Sequence, residues 1–167
     1  MTCLKPEIGM MSEFTPRASN YAARVAESFG RQSFMTLLGA ELVHVAPGAV
    51  DIAVQARDDL TQQHGYFHAG VTTAIADSAA GYAAFSLFDE DAGVLTTEFK
   101  VNLLNPAAGA RMIARGRVVK PGRTLTICRA DVTCYHGASE VHVATALLSM
   151  MRLPGLEPSR LRGSVDE

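Results

Sequence analysis

Hydrophobic and polar positions follow two different periods along this chain. In Ala49–Ala56, Val50, Ile52 and Val54 alternate with Asp51, Ala53 and Gln55. That period of two predicts a strand. It pairs with Ala40–Ala46 through Pro47-Gly48, residues suited to a hairpin turn. Four further strands are predicted at Gly93–Leu104, Ala110–Lys120, Thr124–His136 and Glu140–Arg152, bounded by Asn105-Pro106, Pro121-Gly122, Gly137 and Pro154. Met112, Ala114, Gly116 and Val118 share one strand face, opposite Arg111, Arg115 and Arg117. Cys128, Ala130, Val132 and Cys134 do the same, opposite Arg129, Asp131, Thr133 and Tyr135. One apolar and one polar face per strand is the mark of an antiparallel sheet covered on one side.

Between the hairpin and these strands the period changes. Val71–Phe88 holds 18 residues, Ala-rich and free of Pro, and Asp77 is its only charge. This predicts one helix of about 27 Å, buried nearly all round because no face is charged. The stretch is long enough to raise the question of a membrane span. Its Ala, Ser, Thr and Gly content and its central Asp77 argue for a buried helix instead. Asn20–Arg31 predicts an earlier helix, capped by Ser19 or Asn20 and ending near Gly30, and Phe34–Gly39 a short turn. Arg57–Phe67 reads as a polar loop.

One helix cannot cover a flat sheet of six strands, but a curved sheet can wrap around one helix. The expected fold is therefore α+β, the hotdog architecture: a curved antiparallel sheet of about six strands around one long central helix. Small residues on the helix let the sheet approach closely. Residues 1–19 are expected to form a loose arm, 20–153 a single domain and 154–167 a flexible tail.

Composition narrows the function classes. The chain has 167 residues, 48% hydrophobic and 19% charged, with net charge −2. That is one globular domain without the basic excess of a general nucleic-acid binder. No helix-turn-helix is evident in residues 1–39. Three cysteines without framework spacing point to a reducing, cytoplasmic setting, and the N-terminus shows no uninterrupted apolar core of a signal peptide. Cys128, Cys134 and His136 lie along one strand, too spread out to chelate one ion, so core packing is expected rather than a metal.

Asp77 is the residue on which chemistry turns. A buried carboxylate is costly unless paired, protonated or used. Desolvation raises its pKa towards that of a general base. The structural alternative is hydrogen bonding to nearby backbone amides.

The segment Gln62-Gln63-His64-Gly65-Tyr66-Phe67-His68-Ala69-Gly70-Val71, followed by Ala76-Asp77, resembles the signature of hotdog acyl-CoA thioesterases of the phenylacetate-catabolism (PaaI-like) type. That pattern is a His-Gly-Gly with an acid nine positions after the His, and His68 and Asp77 keep the spacing. Thr97–Ala107 and Val119–Thr124 also resemble the family's strand segments, so the likeness covers roughly residues 35–152. The resemblance implies acyl-CoA hydrolysis without a cofactor. It assigns Asp77 as general base or nucleophile and the Ala69 amide, with Gly70, as oxyanion donor at a helix N-terminus. His68 would hold the loop. Gln62 and Thr96 match the polar residue before the His and the hydroxyl on the next strand that place thioester and water. Arg123, in the family-like turn, and Lys120 are candidates for the phosphates of coenzyme A. Phe67 and Tyr82 are candidate pocket walls that core packing explains equally well.

Ala69 and Asp77 are eight residues apart, about 12 Å along one helix. One reaction centre cannot use both from a single chain. Two antiparallel helices across a two-fold axis could bring them together, so a homodimer with two interface sites is expected, and a homotetramer built from two dimers. Ala69 departs from the family's first Gly, and a positive φ there would strain it. That departure motivates a non-catalytic acyl-CoA-binding alternative. Asp59 and His64, at the acid–His spacing of hotdog enoyl-CoA hydratases, supply a third reading. The acyl group itself is not legible.

Overall fold

A computed structural model describes residues 14–156. Most of the expected arm and tail lies outside the described residues. Two short helices come first, α1 (Tyr21–Gly30) and α2 (Ser33–Leu38). The hairpin β1 (Glu41–Ala46) and β2 (Ala49–Gln55) follows, turning at Gly48 with φ 73°. A 3-10 turn at Asp58–Leu60 leads to the long helix α3 (Ala69–Phe85). Then come β3 (Ala92–Leu103), β4 (Arg111–Lys120), β5 (Leu125–His136) and β6 (Ser139–Pro154).

All six strands form one antiparallel sheet in the order β1-β2-β4-β5-β6-β3. Its inner face wraps α3, as the hotdog expectation requires. Val50, Ile52, Met112, Ala114, Cys128, Ala130, Val132, Ala144, Ala146, Leu148 and Met150 close around the helix, all buried. The alternation read from the sequence is thus the alternation of inner and outer faces.

Close approach of helix and sheet depends on one strand residue in particular. A Cβ added at Gly116 of β4 would lie 2.3 Å from both the carbonyl carbon and the oxygen of Ala79. The sheet meets the helix backbone there, so only glycine fits. The small residues of α3 supply the other half of that contact, since Ala76, Ala79, Ala80, Ala83 and Ala84 are all buried.

The helix differs from its predicted span at both ends. It begins two residues before Val71 because His68 caps it. It ends three residues before Phe88, where Ser86 Oγ turns back to the Ala83 carbonyl (2.7 Å) and also accepts from the Gly48 amide (2.8 Å). Leu87 and Phe88 then close the end with tighter three-residue bonds to Ala84 and Phe85. Burial also differs from the all-round expectation. Ala69 and Gly70 are exposed, and Thr73, Ala74 and Asp77 are half-buried, so one stripe of the N-terminal half is open.

Strand β3 borders that stripe and is an edge of the sheet. Its pairing with β6 slips by one residue between Thr96 and Glu98. Thr97 is the extra residue of a β-bulge. Before the bulge, Thr96 sits opposite Met150 on the inner face; after it, Phe99, Val101 and Leu103 sit opposite the inner residues Leu148, Ala146 and Ala144. Phe99 and Leu103 face inward, yet they are 52% and 58% exposed. The sheet therefore extends past its own helix. Among the described residues, no helix is long and apolar enough to cross a membrane.

Candidate active site

The loop before α3 is fixed by backbone bonds at both of its last residues. Phe67 N–H donates to the Ala107 carbonyl and His68 N–H to the Leu60 carbonyl, both at 2.9 Å. This holds His68 in extended conformation, φ −63° and ψ 137°, as the N-cap of α3. Its ring Nδ1 accepts from the Gly70 amide at 2.9 Å. Its carbonyl accepts from the Val71 and Thr72 amides. Of the first four amides of the helix, these three are satisfied, and only the Ala69 N–H has no partner among the described residues. It lies at the positive end of the helix dipole, where an anion or developing oxyanion is favoured.

This corrects the pairing of Gly70 with Ala69 as donors: the Gly70 amide is already taken by His68. It also accounts for the two residues. A Cβ on Gly70 would sit 2.9 Å from His68 Nδ1, so the cap needs glycine there. Ala69 carries no such constraint. No non-glycine residue among those described has a positive φ, so Ala69 is unstrained.

Two turns further along the open stripe, Thr96 Oγ1 donates to Asp77 Oδ1 at 2.7 Å. Burial raises the Asp77 carboxyl above its ordinary value, and the Thr96 hydrogen bond partly offsets this. The first cause dominates because the surrounding helix positions are apolar or small. Thr96 also touches Met150 Sδ at 3.4 Å. The bulge at Thr97 and the β6 pairing place Thr96 where it meets Asp77.

The remaining expected residues fall into three groups. Phe67 is buried and lines a cavity of about 380 Å³ together with Gln62, Tyr66, Ala69 and Thr72. Leu103, Leu104 and Val143 form its far wall, residues that sequence reasoning missed because only strand pairing brings them there. Gln62 Oε1 accepts from the His64 amide, within its own turn. Tyr82 is elsewhere: its hydroxyl meets Ser28 and Gln32, and its ring packs edge-on against Phe29 and Phe85. It serves the packing of α1, not the cavity. Lys120 and Arg123 sit at the β4–β5 turn, beside the opposite end of α3, where Pro121 and Gly122 share a cleft with Leu87 and Phe88. Within one chain they are therefore far from the Ala69 amide.

Asp59 and His64 are not joined. Arg57 holds Asp59 by two hydrogen bonds at 3.0 and 3.2 Å, whereas His64 touches Gln63. Cys128 and Cys134 are buried free thiols, pushed by burial up to about 12 and about 11. Among the described residues, no group of three or more His, Cys, Asp or Glu side chains could hold a metal.

Comparison with known proteins gives this geometry a family. Residues 64–140 match the profile of the thioesterase superfamily. A thioesterase family protein from Silicibacter pomeroyi is 49% identical, with a TM-score of 0.80, covering 81% of this chain and 99% of that one. The PaaI protein of E. coli shares the fold at 17% identity, with a TM-score of 0.73 over 82% of this chain and 96% of that one. A 1,4-dihydroxy-2-naphthoyl-CoA hydrolase of Listeria monocytogenes is 24% identical over 96 residues, 58% of this chain and 78% of that protein. A protein of Saccharolobus solfataricus, named only provisionally as an esterase, is 24% identical over 56% of this chain, and the match spans just 66% of its length. A free helix N-terminal amide, a desolvated acid on the same helix and near-complete overlap with a relative at 49% identity lead to one assignment: the chain belongs to the thioesterase superfamily, in its hotdog fold.

Proposed function

We propose that the protein hydrolyses a small aryl- or medium-chain acyl-CoA thioester to the free acid and CoA. The observation that carries this reading is the Asp77–Thr96 pair on the open stripe of α3, two turns from an unpartnered amide. The thioester carbonyl oxygen accepts from the Ala69 N–H, which stabilises the charge that develops there. Asp77 either takes a proton from the attacking water or attacks the carbonyl carbon itself. In the first route the tetrahedral intermediate collapses, the C–S bond breaks, and CoA leaves as a thiolate that acquires the proton. In the second the Asp77 oxygen bonds the acyl carbon as the C–S bond breaks and CoA leaves as thiolate. Water then hydrolyses the resulting anhydride, freeing the acid and Asp77 and supplying the proton that the thiolate takes up. Both consume one water per thioester.

The about 12 Å between Ala69 and Asp77 requires two chains, with Ala69 of one facing Asp77 of the other. The exposed inward residues Phe99 and Leu103 on the edge strand support a homodimer, since a second copy would cover them. In an antiparallel pair, the Lys120 and Arg123 end of one chain lies beside the Ala69 end of its partner. Those cations can then meet CoA phosphates. A pair of such dimers forms the tetramer. The buried free thiols fit a reducing, cytoplasmic compartment.

Ala69 has no positive φ, so backbone strain does not count against turnover; crowding of the thioester by its methyl is the remaining ground for a binding protein without turnover. The test is release of free thiol from a panel of aryl- and fatty-acyl-CoA esters, with wild type and Asp77→Asn side by side. Turnover by wild type and none by the variant is expected. Full activity in Asp77→Asn would overturn the mechanism.

A further inference from the structure

We infer that Thr73 is the self-contact at the centre of the dimer. Its side chain meets Thr73 of the second copy on the two-fold axis, and the pair sets the distance between the Ala69 amide of one chain and Asp77 of the other. This rests on the shared-site reading above and specifies the register of that interface.

Two independent observations lead to the same residue. The first is sequence position. Thr73 stands four residues after Ala69 and four before Asp77. In two antiparallel helices related by a two-fold axis, facing residues run in opposite order. If 69 faces 77 of the partner, then 73 faces 73.

The second is accessibility, which takes no account of the chemistry. The α3 residues before Ser78 that are not buried are Ala69, Gly70, Thr73, Ala74 and Asp77. Thr73 is the middle member of that stripe. A surface that covers its own copy around a two-fold axis has its centre on the axis.

The side chain suits the position. The Thr73 hydroxyl has no hydrogen-bond partner among the described residues. Two threonine hydroxyls at one axis satisfy each other, one donating and one accepting. Gly70 and Ala74, its neighbours on the stripe, add little bulk, so the helices can approach more closely than the usual ~8–10 Å. Thr73 is then the largest side chain between the two backbones at their nearest point. It acts on the reaction as a positioning residue, through the spacing of Ala69 and Asp77.

Cross-linking tests the register without relying on activity. In a Cys3→Ser background the remaining native thiols, Cys128 and Cys134, are buried. The Thr73→Cys chain, treated with a short bis-maleimide, is expected to run as a covalent dimer on a denaturing gel. Separately, co-expressed Ala69→Cys and Asp77→Cys chains should cross-link to each other. If the mixed pair cross-links and Thr73→Cys does not, the shared site survives and the axial position of Thr73 is overturned. If neither cross-links, the shared-site reading falls as well.

Kinetics tests the positioning role. Thr73→Leu should lower kcat by about 10- to 100-fold, since an ångström of misplacement costs that much, with KM little changed. Thr73→Ser should recover most of the rate. Equal kcat in the Leu variant would show that Thr73 does not set the spacing.

Discussion

The two halves of α3 look alike in sequence and live in different surroundings. From Ser78 to Phe85 every residue is buried, sealed by the strands and by α1. From Ala69 to Asp77 the sheet still covers one side, but a stripe stays open and carries the only charge of the helix. The C-terminal half is finished by contacts within the chain. Ser86 ties its end to the hairpin turn, and Arg24 donates to the Phe88 and Ala92 carbonyls at 3.2 Å. In the N-terminal half, the Ala69 amide has no partner among the described residues and the acid is half-covered. Contacts within the chain are thus concentrated at one end of the helix, and the proposed chemistry lies at the other.

That contrast breaks most sharply at Asp77. Asp77→Asn should cut turnover by about 100- to 10,000-fold, the usual worth of an acid–base group, while melting as wild type does or higher. A variant that lost both fold and turnover would show that Asp77 belongs to the structural half. Next in size is Gly116→Val. Its side chain would collide with the Ala79 backbone, so denaturant unfolding should show a loss of about 3 kcal/mol or more. A neutral result would mean that the sheet is not pressed against the helix there. His68→Ala removes the cap on Gly70 and should cost about 1 kcal/mol. His68→Asn, which can also accept from that amide, should restore the stability.

The dependence on pH is subtler. The Asp77 carboxyl is held above its ordinary value of 3.8, so the folded chain binds this proton more tightly than the unfolded chain. The cost of ionising it in place is absent well below 3.8 and grows as pH rises through the folded value. Asp77→Asn should therefore match wild type in acid unfolding experiments and exceed it in stability at neutral pH. Smallest of all, Ala69→Gly should leave turnover close to wild type and lower stability by about 1 kcal/mol or less. A large gain in thiol release would instead show that the methyl crowds the thioester.

Sheet and helix were legible because their periods differ. Val50, Ile52 and Val54 could only alternate in and out, and an 18-residue uncharged run with one acid could only be a helix with a singular position. The apolar run did not mark the helix ends, although the family likeness put Ala69 at a helix N-terminus. Ala69 and Gly70 enter the helix because of a ring nitrogen on His68, and Ser86 leaves it through a bond to a distant turn. Nothing in the sequence Ser86-Leu87-Phe88 tells that this serine, unlike Ser78 within the helix, makes the exit. The family likeness picks out Thr96 as a hydroxyl that places thioester and water, not as a partner of Asp77; strand pairing across β3 and β6 brings the two together. Tyr82 is in sequence a candidate pocket wall with core packing as an equal alternative; its side chain meets Ser28, Phe29 and Gln32, which is core packing. Gln62 lines the cavity beside Ala69, with its Oε1 accepting from the His64 amide within its own turn.

The bulge at Thr97 has a consequence for how this edge strand is written. A strand is a text read in every second letter. Upstream of Thr97 the inward letters fall on even positions, among them Thr96; downstream they fall on odd ones, Phe99, Val101 and Leu103. One inserted residue works as a frameshift that never leaves the protein's own grammar. It lets a hydroxyl aimed at an acid and an exposed apolar margin share a face, though they stand three residues apart. The two passages can then be revised separately: altering the margin need not disturb the hydroxyl. Removing the extra residue would keep the frame of both but shorten the strand between them, drawing margin and hydroxyl closer by the length of one residue.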